Sequence, residues 1–134
     1  MKDTLKPGLT ANSTINVDDE RVIGFMGDDA RVYATPALVR DIEMTCRDLL
    51  LAHLDEGEDS VGTRVEIDHV AATPFGMEVE IVVTIAAVDR RAITFDVEAH
   101  DKMDKICKGR HNRFVVDVKQ TVERLKAKSE ATGA

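Results

Sequence analysis

Tryptophan is absent from this chain, and aromatic residues make up only 4% of its 134 positions. A core built here must come from Val, Ile, Leu, Ala and Met. Cysteine is scarce too. Cys46 and Cys107 stand alone, in no CxxC motif and beside no histidine cluster. That spacing excludes the usual zinc and thiol-redox motifs and reads as two buried free thiols. No apolar run approaches the ~20 residues of a membrane span. The opening MKDTLKPGLTANS lacks the apolar segment of a signal peptide. Both absences point to a cytoplasmic protein. Positive charge is in deficit, with a formal net charge of -7. This counts against a general nucleic-acid binder, and an anionic ligand would need a local basic patch. Gly-rich phosphate loops and GxSxG elbows are missing as well.

What is present suits one domain with a real core, at 43% hydrophobic residues. Residues 1–8 read as a loose leader and 129–134 as a loose tail. A strand is expected around Leu9 to Val17. Asp18 to Tyr33 is irregular, a loop or lid over something. Pro36 to Leu54 carries the one strong helix signal, with Thr35 as N-cap and Pro36 in the first turn. Val39, Ile42, Cys46, Leu49, Leu50 and Leu54 share its apolar face. Met44 and Leu51 project from the far side, a hint of self-association. Four strands follow, at 60–72, 77–88, 91–100 and 105–117. The turns between them are Thr73-Pro74-Phe75-Gly76, read as type I, then Asp89-Arg90 and Asp101 to Asp104. Short connections make these strands antiparallel neighbours. A second helical pattern begins at Val118. The class is α+β, one helix covering one face of an antiparallel sheet.

Two polar residues sit where apolar ones belong. In VGTRVEIDHVAATPFG one parity reads Val61, Thr63, Val65, Ile67, His69, Ala71, so alternation puts His69 on the core side. Glu43 falls on the helix's apolar face, where an unpaired carboxylate is costly. These two faces should meet. A Glu43–His69 hydrogen bond would satisfy both groups and raise the basicity of the imidazole. Thr35 lies at a helix start, where free N–H groups, those of Ala37 and Leu38, can meet an anion or a developing oxyanion. Arg113 shares the parity of Gly109, His111 and Val115, although a solvated face fits its pattern better. His53 and His100 read as surface residues, and His111 receives no assignment.

The segments YATPALVRDIEMTC, SVGTRVEIDHVAATPFG and GRHNRFVV follow in order over about residues 30 to 125. In that order they resemble the hot-dog-fold thioesterases, most of all the fluoroacetyl-CoA thioesterase type. The HxAATPxG segment is the most specific part of the likeness. The resemblance implies a hot-dog fold, an antiparallel sheet wrapped around one long central helix, in a single domain spanning 1–134. It implies an acyl-CoA thioesterase that releases free acid and coenzyme A, with Thr35, Glu43 and His69 as its active site. Gly62 and Arg113 match substrate-pocket positions. It implies a homodimer with substrate at the subunit interface, so the three residues need not come from one chain. No separate cofactor or metal is expected, since coenzyme A is part of the substrate, and neither nucleic acid nor membrane is an expected partner. Glu43 can either orient His69 or attack the carbonyl itself. Arg90, Arg91, Lys105, Lys108 and Lys126 are candidates for the coenzyme's phosphates. Pro36 stands where the family commonly has glycine. Asp18 to Tyr33 lacks an aromatic-rich lid, with Met26 and Asp29 where bulky apolar groups would close the pocket. Acyl selectivity is therefore not carried over. The alternative is a non-catalytic acyl-CoA or small-ligand binding module on the same fold, distinguished by tight coenzyme binding without turnover.

Overall fold

The computed structural model describes residues 1–133. Its elements run β1 (Thr10–Asn16), β2 (Val22–Ile23), β3 (Val32–Tyr33), α1 (Thr35–Leu51), β4 (Glu58–His69), β5 (Glu78–Asp89), β6 (Ala92–His100), β7 (Lys105–Asp117) and α2 (Val118–Thr132). Five strands form one antiparallel sheet in the order β1-β5-β6-β7-β4. β2 and β3 form a separate small ribbon within the 18–33 segment. The four long strands and their connections lie within a few residues of their expected positions. Alternation is a strong signal where one sheet face is buried.

Val79, Ile81, Val83 and Ile85 of β5 and Ile93, Phe95 and Val97 of β6 turn toward α1, which buries Leu38, Ile42, Cys46 and Leu50. The sheet's other face carries charge. Arg110 pairs with Asp96, Lys105 with Glu98, and Arg64 with Glu66. Exposed pairs of this kind add little stability, but they mark a solvated surface.

The helix buries a wider face than its apolar pattern predicts. Asp41 and Thr45 are also buried, while Val39 and Leu49 are only half-buried. Asp41 accepts hydrogen bonds from Tyr33 Oη at 2.5 Å and from Arg21 Nε at 2.9 Å. Thr45 donates to Asp41 C=O, and its oxygen can then accept from Ser13 Oγ, 2.9 Å away. These polar groups face β1 and the 18–33 segment, which wrap the helix on the side away from β4. Ala34 is the N-cap, so Thr35 is already inside the helix and its hydroxyl is free for another partner. The C-terminus falls at Leu51 rather than Leu54. The chain turns there, with His53 N–H bonded to Leu50 C=O.

Strand β4 departs from simple alternation. Gly62 pairs with Arg113 and Arg64 with Asn112, so Thr63 is an extra residue in a β-bulge. A bulge reverses the parity of everything before it. Val65, Ile67 and His69 face inward as alternation predicts. Before the bulge, Ser60 and Gly62 face inward, and Val61 is turned out with 45% of its surface exposed.

The first eight residues are not loose. Leu5 is buried, Lys2 N–H bonds His53 C=O, and the terminal ammonium pairs with Asp55 and Glu58. At the other end, residues 129–132 continue α2, and Ala134 lies outside the described residues. The turn after β4 also differs from the type I expectation. Met77 N–H bonds Pro74 C=O, and Gly76 sits third with φ 87°, the place where a type II turn needs glycine.

Gly109 locks β7 to β4. A Cβ there would stand 2.1 Å from Glu66 O and 2.6 Å from Ile67 Cα. Backbone on both sides cannot yield as a flexible side chain can. Gly109→Ala should therefore cost about 2–3 kcal/mol, read as a lowered urea midpoint. An unchanged midpoint would refute this close approach.

Candidate active site

Thr35 and His69 meet. Thr35 Oγ1 lies 2.7 Å from His69 Nδ1, joining the first turn of α1 to the end of β4. Tyr33 stands edge-on to the imidazole, with ring centroids 6.3 Å apart. His69 Nε2 is buried and has no hydrogen-bond partner. Burial lowers the pKa of His69 from its ordinary value, which keeps the ring neutral near pH 7. It borders a cavity of about 420 Å³, lined among others by Val32, Tyr33, Thr35, Ala71 and Phe25. Phe25 is 82% exposed and stands at the lip, while Met26 and Asp29 are exposed and do not line the cavity.

The helix start offers fewer donors than expected. Leu38 N–H is already bonded to Ala34 C=O at 3.0 Å, and Pro36 has none. The N–H groups of Thr35 and Ala37 precede that first intrahelical bond.

Glu43 is elsewhere, and it makes no bond to His69 within the chain. Its carboxylate lies 3.8 Å from Arg113 Nη1 and 3.9 Å from His111 Nε2. Its other neighbour is Gly62. A Cβ on Gly62 would stand 2.3 Å from Glu43 Oε1, so glycine is what makes room for the carboxylate. Arg113 is buried, contrary to the solvated reading of its pattern. Ser60 explains this, accepting from Arg113 Nε at 2.7 Å through Oγ and from Nη2 at 2.8 Å through C=O.

The molecule therefore carries two clusters: Thr35–His69, and Glu43–Gly62–Arg113 with His111 and Ser60. Eight helical residues separate Thr35 from Glu43, about 12 Å along the axis. Seven strand residues separate Gly62 from His69, roughly 20 Å along β4. A glutamate side chain cannot span that distance.

A network secures the first cluster from behind. Asp41 holds Tyr33 and Arg21, and Arg21 C=O accepts from Ala34 N–H. Thr73 is fully buried, accepts Tyr33 N–H through its C=O and donates its hydroxyl to Asp101. Tyr33, Asp41, Thr73, Ser60 and His111 all escape a reading based on apolar periodicity. An inward polar parity on β7 was the one available signal, for His111.

None of the basic candidates lines the cavity beside His69. Lys105 is paired with Glu98 and Arg91 with Glu58, while Lys108 and Lys126 are exposed at separate places. Among the described residues no cluster of His, Cys, Asp and Glu could hold a metal ion, and no helix is long and apolar enough to cross a membrane. Both thiols are buried, and burial pushes Cys46 up to about 12 and Cys107 up to about 11.

The central helix α1 against a five-stranded antiparallel sheet, with a Thr–His pair at the helix start, is the arrangement expected of a hot-dog-fold thioesterase, and comparison with known proteins supplies the class. A family model described as fluoroacetyl-CoA-specific thioesterase matches residues 17–119. The fluoroacetyl-CoA thioesterase of Streptantibioticus cattleyicolor is 33% identical over 100 residues, covering 75% of this chain and 72% of that protein. A solved structure of a fluoroacetyl-CoA thioesterase superposes with a TM-score of 0.86 at 26% identity, over 94% of this chain and 98% of that one. A thioesterase superfamily member from Thermus thermophilus gives 0.84 at 28% identity, over 96% and 98%. The chain belongs to the fluoroacetyl-CoA-specific thioesterase family and is a thioester hydrolase.

His69 gives the site a pH signature. Its folded pKa is lowered, so the unfolded chain binds a proton more readily below about 6.5. Stability from the neutral ring is present above that pH and is lost as pH falls toward the folded midpoint. An NMR titration of the His69 ring should show a midpoint below 6.5. A midpoint above it would contradict the buried, unpartnered environment of Nε2.

Proposed function

We propose that this protein hydrolyses small acyl thioesters of coenzyme A, with Thr35, Glu43 and His69 as its reacting and orienting groups. The observation that carries the reading is His69. It is a neutral imidazole tied through Nδ1 to Thr35, and its second nitrogen is unpartnered beside a small cavity. With Nδ1–H donating to Thr35, Nε2 holds a lone pair and accepts a proton from water. That water attacks the thioester carbon. The developing oxyanion is met by the N–H groups at the start of α1, the thiolate leaves, and the proton from His69 passes to it. Glu43 is the carboxylate that orients the water from the other side. Its carboxylate lies 3.8 Å from Arg113 Nη1.

The spacing of the two clusters supports a homodimer whose sites combine both chains. β4 is a terminal strand, and residues 61–66 are exposed along it. A long free edge of this kind is a template for a second copy. Antiparallel self-pairing with Val65 on the twofold axis sets Arg64 against the partner's Glu66, a favourable cross-strand pair. Shifting the axis to Glu66 would oppose like charges. Past the bulge, the Val65 register brings His69 level with the partner's Gly62 and Ser60, and so toward the partner's Glu43. The substrate then lies between Thr35–His69 of one chain and Glu43–Gly62–Arg113 of the other.

The acyl group is small in this reading. Val32, Tyr33 and Ala71 line the cavity beside His69, and no side chain from the exposed 24–29 stretch other than Phe25 reaches its wall. Fluoroacetyl-CoA, named for the relatives, belongs in the assay panel beside acetyl-CoA and short-chain homologues. Free thiols and a coenzyme A substrate fit the cytosol.

Steady-state hydrolysis over that panel tests the assignment. His69→Ala and Glu43→Gln should each lose about 100-fold or more in kcat, with unchanged melting temperatures. Gly62→Ala should behave like Glu43→Gln, because the added methyl group displaces the carboxylate without straining the backbone. Wild-type turnover in His69→Ala or Glu43→Gln would sink the assignment.

A further inference from the structure

His111 lies outside the three residues assigned to the reaction, yet it is fully buried at the centre of the Glu43 cluster. Its ring stacks on Phe95, with centroids 6.4 Å apart and an interplanar angle of 24°. Nδ1 lies 2.8 Å from Arg64 C=O. A carbonyl oxygen can only accept, so Nδ1 carries the proton. Burial and the nearby Arg113 guanidinium disfavour a second proton on the ring, which leaves Nε2 as a lone pair. Arg113 Nη1 lies 3.1 Å from that lone pair, and guanidinium nitrogens only donate. The tautomer is thus fixed by both neighbours at once.

Arg113 has little remaining freedom. Nε and Nη2 are spent on Ser60, and Nη1 is shared between His111 and the Glu43 carboxylate. The Arg64 carbonyl that His111 grips directly follows the Thr63 bulge, which turns Gly62 toward Glu43. One imidazole therefore holds both sides of the space occupied by the carboxylate: the arginine that faces it and the strand that makes room for it.

We propose that His111 is a positioning residue for the thioesterase reaction, acting through Arg113 and the β4 bulge to hold Glu43 in place. The proposal rests on Glu43 being the carboxylate of the reaction. His111 touches neither substrate nor reacting atoms. Its contribution is geometric, and misplacing a reacting group by about 1 Å can cost 100-fold in rate.

The test compares kcat and KM for hydrolysis of a short acyl-CoA by His111→Phe, His111→Gln, Arg113→Met, the His111→Phe/Arg113→Met double variant and Glu43→Gln. His111→Phe keeps the stack on Phe95 and loses both polar contacts. It should lower kcat by about 10- to 100-fold while KM moves by no more than about twofold. His111→Gln, whose carbonyl oxygen can accept from Arg113, should regain most of the lost kcat. The double variant should be no slower than Arg113→Met alone, because both changes remove the same constraint. Thermal melts show which variants fold. If His111→Phe does not, His111→Gln and Arg113→Met still carry the comparison, with Gln retaining activity that Met loses. Wild-type kcat in folded His111→Phe beside an inactive Glu43→Gln would overturn the proposal alone, as would fully multiplicative losses in the double variant. Wild-type turnover in Glu43→Gln would instead overturn the parent assignment, and this one with it.

Discussion

One extra residue in β4 decides which side chains meet the central helix. Without the bulge at Thr63, strict alternation would carry Val61 and Thr63 inward with Val65, Ile67 and His69, and would turn Ser60 and Gly62 to solvent. The bulge lets the same strand present His69 at one end and the Ser60–Gly62 pair at the other, all on the face toward α1. The Glu43 cluster depends on that choice. Arg113 is tolerated because Ser60 faces it. Glu43 fits because Gly62 has no side chain to collide with.

The periodic elements were legible because their signals are long and physically redundant. β5 and β6 alternate over most of their length, and α1 carries a broad apolar face with proline in its first turn. His69 and Glu43 were legible as anomalies, polar groups in apolar positions. Their relation was not. Facing surfaces suggested a direct hydrogen bond, but a facing pair on a helix and a strand can still be separated along their lengths. The helix rises about 1.5 Å per residue and the strand about 3.3 Å, and local pattern says nothing about register between them. The bulge was invisible for a similar reason, since one inserted residue leaves the hydrophobic composition unchanged. Tyr33, Asp41 and Thr73 lie in or against the irregular 18–33 segment, where no period exists to be violated. The tethered leader depends on Leu5 meeting a distant surface, which local propensity cannot encode.

The two clusters are chemically complementary. One holds a neutral base with an unpartnered nitrogen near a helix start, and the other a carboxylate beside an arginine in the room that a glycine leaves. Thioester hydrolysis asks for a proton acceptor, an oriented water and donors for an oxyanion. The groups are all present in the chain, and under the proposed dimer each chain would supply half of two sites. A free β4 edge with a charge-compatible register is the feature that would join them. Symmetry then supplies two equivalent sites per dimer.

The most direct test of this account is complementation between two inactive chains. His69→Ala and Glu43→Gln are co-expressed with different affinity tags, and the reassociated mixture is assayed on a short acyl-CoA. If the base and the carboxylate come from different chains, each mixed dimer rebuilds one intact site. Random pairing then restores about a quarter of wild-type activity, all of it in the doubly tagged fraction. If the mixed dimers form and remain as inactive as either parent, the two clusters do not join across the β4 edge, and the composite site is wrong.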